Sequence, residues 1–74
     1  MIYRFEIEVG AGDWLAVGTG KGAGVDPVEA AFDDLASDAD RPLGAGRYRF
    51  VPAGASAEWR YLSRGEDGSV LIDS

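Results

Sequence analysis

The sequence predicts an α+β fold, a single helix packed on a mostly antiparallel sheet of four or five strands, with the element order β-β-α-β-β-β. Three observations predict it. Apolar and charged residues alternate strictly over residues 3–9, the period of a half-buried strand. One stretch alone, residues 27–38, carries its apolar residues at helical spacing behind a cap signal. The remaining alternating runs are separated by short turns rich in Gly, Pro and Asp, so neighbours in sequence should pair as hairpins. At 74 residues the chain is expected to form one small domain over 1–74.

The first strand places Tyr3, Phe5, Ile7 and Val9 on one side and Arg4, Glu6 and Glu8 on the other. Gly10-Ala11-Gly12-Asp13 turns the chain, and Trp14 to Thr19 returns as the second strand. The glycine-rich run Gly18-Thr19-Gly20-Lys21-Gly22-Ala23-Gly24 then reads as a flexible connector. It lacks the spacing of a phosphate-binding loop, and Asp26 and Glu29 at the following helix start would repel a phosphate.

Asp26 is the expected N-cap, with Pro27 at the first helical position and Glu29 as the reciprocal carboxylate of a capping box. Val28, Ala31, Phe32, Leu35, Ala36 and Ala39 form the apolar stripe of a helix from Pro27 to Asp38, which must end before Pro42. Residues 41–46 are the exit loop. Arg47 to Val51 and Glu58 to Leu62 read as the third and fourth strands, Glu66-Asp67-Gly68 as a hairpin turn, and Val70 to Ile72 as a closing strand. Parity within each strand assigns Tyr48, Phe50, Trp59 and Tyr61 to a core facing Phe32 and Leu35. It leaves Arg47, Arg49 and Arg60 as an exposed row opposite Glu6 and Glu8. A β-grasp-like arrangement shares the leading element order. One helix of about 12 residues, some 18 Å long, cannot cover both faces of such a sheet.

The chain has neither Cys nor His. That removes disulfides, thiol nucleophiles, the usual general base and the commonest metal ligands. Asp33 and Asp34 are adjacent on a helix and point about 100° apart, and a carboxylate site with Glu29 lacks any calcium-loop spacing. The reading is therefore non-enzymatic, with no catalytic residue, cofactor or metal site. No window reaches the roughly 20 apolar residues of a membrane span, and no leader precedes Ile2-Tyr3-Arg4-Phe5, so the expected location is cytoplasmic.

Charge is distributed unevenly. Residues 1–40 carry Arg4 and Lys21 against nine acids, whereas residues 41–74 carry five Arg against four acids, for a net charge of −6. Six carboxylates and no cation lie between Asp26 and Asp40. Glu29 with Asp33, and Asp34 with Asp38, are like-charge pairs four apart that each cost about 0.2–0.5 kcal/mol in a helix. Such a face either serves solubility or meets a basic partner. The candidate partner-binding residues are accordingly Glu29, Asp33, Asp34, Asp38 and Asp40, with Trp14 and Trp59 as aromatic anchors. The expected function is a small acidic protein-binding module that occludes a basic surface, such as that of a nucleic-acid-binding protein, without itself binding nucleic acid. In size and acidity the chain resembles the small accessory proteins that bacteriophages carry against host defence, anti-CRISPR inhibitors among them; the resemblance lies in bulk properties and carries over no residue. The alternative is a structural or virion-associated subunit that dimerises through its uncovered sheet face or an edge strand.

Overall fold

A computed structural model describes residues 1–38, 43–54 and 57–73. Five strands, β1 (Ile2–Gly10), β2 (Asp13–Lys21), β3 (Gly46–Pro52), β4 (Arg60–Arg64) and β5 (Val70–Asp73), and one helix, α1 (Pro27–Asp38), follow the order β-β-α-β-β-β. The strands form one sheet in the order β2-β1-β3-β4-β5, and every neighbouring pair is antiparallel. The sheet therefore lacks the parallel central pair of a β-grasp. Instead β3 returns from the helix to the free side of β1, and β4 and β5 extend the sheet as a meander.

The core lies between α1 and one face of the sheet. Tyr3 and Phe5 of β1, Tyr48 and Phe50 of β3, and Leu62 of β4 meet Val28, Ala31, Phe32 and Leu35 of α1. The rings of Phe32 and Tyr48 pack edge to face at 5.0 Å, and those of Phe5 and Phe32 at 5.4 Å, geometries that add to area burial. Val9 departs from its expected core position, being 62% exposed. It lies beside the β1–β2 turn, and the helix end overlies Gly18 rather than the turn.

The glycine-rich run is not a connector. Gly18 and Gly20 lie inside β2, and Gly22 follows it, pairing with Met1 through Gly22 N–H to Met1 O at 2.8 Å. These three glycines face the helix. A Cβ on Gly20 would overlap the Ala31 carbonyl, one on Gly22 the Pro27 carbonyl, and one on Gly18 would come to 2.9 Å of Leu35 Cδ1. Alternation every second residue thus makes a side-chain-free track on which the helix backbone rests directly on the strand. The track runs from Gly22 at Pro27 to Gly18 at Leu35, so α1 is antiparallel to β2. Between Phe5 and Glu6 of β1 the register with β2 shifts by one, and Val17 is the extra residue of a bulge.

Asp26 occupies the N-cap position, since its carbonyl accepts from Ala30 N–H at 3.1 Å. Among the described residues, no hydrogen bond joins its carboxylate to the first helical amides. Its contribution is therefore its charge at the positive end of the helix dipole. The Asp34 carboxylate accepts from the Lys21 backbone N–H at 2.9 Å, closing an amide on the outer edge of β2. The β4–β5 turn is as expected: Gly68 has φ +87°, and Asp67 accepts from Ser69 N–H at 3.0 Å and Ser69 Oγ at 2.7 Å.

The fourth strand sits two residues later than expected and turns over the expected faces. Phe50 pairs with Arg60 and Tyr48 with Leu62, so Leu62 is the core residue of β4, fully buried. Arg60 and Arg64 share its face, while Trp59 and Tyr61 lie on the opposite one with Arg47 and Arg49. The cause is the pairing partner. The β3 ladder extends to Gly46, opposite Arg64, and the register with the buried Tyr48 and Phe50 outweighs the local attraction of placing aromatics inward.

Candidate functional site

Two surfaces carry the charged and aromatic residues, and the sheet separates them. On the face away from the helix, Arg49 is the centre of a layer of stacked side chains. Its Nε donates to Glu6 Oε1 at 2.8 Å, and its Nη2 donates to the same oxygen. Its guanidinium lies 4.1 Å from the Trp59 ring centroid and 4.7 Å from that of Trp14. Arg47 lies 4.7 Å from the Tyr61 ring centroid, Arg4 lies 5.9 Å from that of Trp59, and Trp14 and Tyr61 pack at 5.9 Å. Val51, also on this face, is only 4% exposed. The middle of the face that the helix cannot reach is thus covered by the chain's own side chains, with Arg49 held by one carboxylate and two rings, while Ile2 and Leu71 toward its margins stay exposed. Beside the bulge a shallow hollow of about 150 Å³ opens between Arg4, Glu6, Ala16 and Thr19.

On the helix side, Glu29, Asp33 and Asp34 are exposed. Asp34 is tied to the edge of β2 as described, whereas Glu29 and Asp33 form no ion pair among the described residues. Asp38 ends the helix, and Asp40 lies outside the described residues. Trp14 and Trp59 are both half-buried on the opposite face. They therefore do not stand beside the acidic residues whose docking they were expected to anchor. Apolar residues that remain open on the helix side include Leu15, 55% exposed, and Val25, 98% exposed, besides Val9 near the β1–β2 turn.

The helix-side face of the sheet is only half covered. Over β4 and β5 it presents Arg60, Arg64, Val70 and Ile72 to the space beside α1. Arg60 lies 5.2 Å from the Phe50 ring centroid and Arg64 lies 5.5 Å from that of Phe32, so the two cations roof the open flank of the core. A groove of about 340 Å³ runs there between the helix start and the sheet, lined by Tyr3, Val25, Asp26, Val28, Arg60 and Ile72. Nearby, burial raises the Tyr48 hydroxyl pKa, with the Arg64 charge opposing. The same hydroxyl donates to Gly44 O at 2.7 Å. This basic flank escaped the sequence reading, yet it had a signal. Leu62 is the strongest apolar candidate of its strand, and period two from it puts Arg60 and Arg64 on the core side.

Among the described residues no three acidic side chains gather as a metal-binding group, and no helix is long and apolar enough to cross a membrane. Compared with protein-family models, curated proteins and solved structures, the chain has no significant match in any of the three.

Proposed function

We propose that this chain is a non-enzymatic binding module whose α1 carboxylates, Glu29 and Asp33 foremost, dock on a basic protein surface. The observation that carries the reading is the contrast between the two faces. On the sheet, Glu6 is matched to Arg49, whereas Glu29 and Asp33 stand exposed and form no ion pair among the described residues. Like-charge spacing on a helix costs stability, and a complementary partner offsets that cost on binding while steering association. Where the basic surface is one that grips nucleic acid, occupying its phosphate sites makes the module a competitive inhibitor, in the manner of phage-encoded anti-CRISPR proteins.

The second reading, a structural subunit, is favoured by the half-covered helix side of the sheet rather than by its far face, whose centre is filled by the Arg49 layer. The test uses partners captured from a bacterial host and identified by mass spectrometry. Glu29→Lys with Asp33→Lys moves the net charge from −6 to −2 while leaving Asp34 on the edge of β2. The expected result is a folded variant whose association with the captured partner is slower and weaker, and a wild-type complex that weakens steeply with salt. Equal affinity of variant and wild type at low and high salt would sink the docking reading.

A further inference from the structure

We infer that a basic surface matching α1 is the β4–β5 flank of a second copy, and that the chain forms a two-fold dimer in which each helix lies over the other chain's Arg60 and Arg64. The inference rests on reading the α1 acids as a docking face, and it names the partner. Size is the first argument. Five strands spaced about 4.8 Å apart span roughly 19 Å, and a helix with its side chains is about 10–12 Å wide. Because α1 rests on β2 through the glycine track, the uncovered remainder is about one helix wide.

Charge is the second argument. The flank carries Arg60, exposed, and Arg64, half-buried, and neither forms an ion pair among the described residues. The outward face of α1 carries Glu29 and Asp33, equally unmatched. Asp26 is the carboxylate among the described residues that line this groove, and it lies at the Arg60 end.

Symmetry is the third. The helix runs along the strands, so a two-fold axis parallel to the strands brings two chains together helix side to helix side. It places each α1 beside its mate and over the mate's β4–β5. The helix start lies level with Arg60, because both line one groove, and Phe32 lies level with Arg64. The partner's Glu29 therefore falls toward Arg60 and its Asp33 toward Arg64. A ridge beside a trough is self-complementary under this operation, as an isologous interface requires. Val70 and Ile72, half-buried in one chain, lose their remaining water contact.

The test is a charge swap read by light scattering and sedimentation. Wild type should show twice the single-chain mass of 7.8 kDa at low salt and return toward one chain at 1 M salt, where the Debye length is about 3 Å. Arg60→Glu with Arg64→Glu should be monomeric, as should Glu29→Arg with Asp33→Arg. An equimolar mixture of the two variants should recover the doubled mass, since each then meets its complement. Circular dichroism checks folding, and Arg60→Glu alone replaces the first variant if the Arg64 change disturbs the core. A wild-type chain of single mass at low salt overturns the inference, as does a mixture of folded variants that stays monomeric. These masses are read without any captured protein, so the dimer can fail while the lysine variant still loses its partner. If both hold, the two associations compete for the same carboxylates, and adding the captured partner splits the dimer.

Discussion

Replacing Gly20 with alanine tests the closest contact in the fold. In an ordinary strand the change is favourable by about 0.5–1 kcal/mol, because glycine loses the most conformational freedom on folding. Here the added Cβ would overlap the Ala31 carbonyl oxygen and sit 2.8 Å from its carbonyl carbon. The obstacle is helix backbone, which cannot swing aside as a side chain can. The helix must lift from β2 by roughly 1 Å, and Val28, Phe32 and Leu35 lift with it. Overpacking of this kind costs about 1–3 kcal/mol, and a backbone obstacle belongs at the upper end. After the strand gain, a net loss of about 2 kcal/mol is expected, out of a total of roughly 4–11 kcal/mol for a chain of this length at 0.05–0.15 kcal/mol per residue. The assay is urea unfolding followed by far-ultraviolet ellipticity, with a lower midpoint at an unchanged slope. Thr19→Ala, one residue away and exposed, should move stability by no more than about 0.5 kcal/mol. A Gly20→Ala variant as stable as wild type would show that the helix does not rest on the glycine track.

Further outcomes follow from other contacts. A double-mutant cycle on Glu6 and Arg49 should give a coupling of about 0.5–1.5 kcal/mol, since both side chains are about one-fifth exposed and the guanidinium is also held by two rings; a coupling near zero would remove Arg49 from its central role. Burial raises the Tyr48 pKa above its unfolded value near 10. The folded chain therefore holds that proton longer, and stability present below pH 10 is lost as pH rises beyond it. Tyr48→Phe should flatten this alkaline loss in thermal melts at the cost of the bond to Gly44, and an unchanged alkaline slope would contradict the assignment. Asp34→Ala should speed hydrogen exchange of the Lys21 amide by roughly the tenfold that 1.4 kcal/mol represents, and unchanged protection would show that the carboxylate does not guard that edge.

Element types and order were legible because each rests on a local period. The Tyr3–Phe5 alternation, the Pro27–Asp38 stripe and the Asp67-Gly68 turn each specify themselves within a few residues. What was not legible depends on pairing between distant segments. Whether Tyr61 or Leu62 faces the core is decided by register with Tyr48 and Phe50; locally the apolar Leu62 and the aromatic pair Trp59 and Tyr61 compete for the inward side, and only the pairing partner resolves it. The glycines of the track resembled a linker because their role, admitting the helix, lies in residues further along the chain, Pro27 for Gly22, Ala31 for Gly20 and Leu35 for Gly18. The acidic face was readable as charge, but the position of Trp14 and Trp59 on the far side of the sheet was not, because Trp59 follows the β3–β4 register and Trp14 the β1–β2 pairing beyond the Val17 bulge.

The layer around Arg49 also decides what light can report. Both tryptophans of the chain stand over one guanidinium, with Tyr61 as a neighbour of Trp14, so tryptophan emission excited selectively samples the far face of the sheet. A partner settling on α1, or a second copy covering the β4–β5 flank, should leave the emission spectrum nearly unchanged. Loss of the Arg49 layer should shift it to the red even while the helix persists. Emission and ellipticity therefore watch opposite sides of the sheet, and any delay between them during unfolding measures how tightly β1 and β3 tie those sides together.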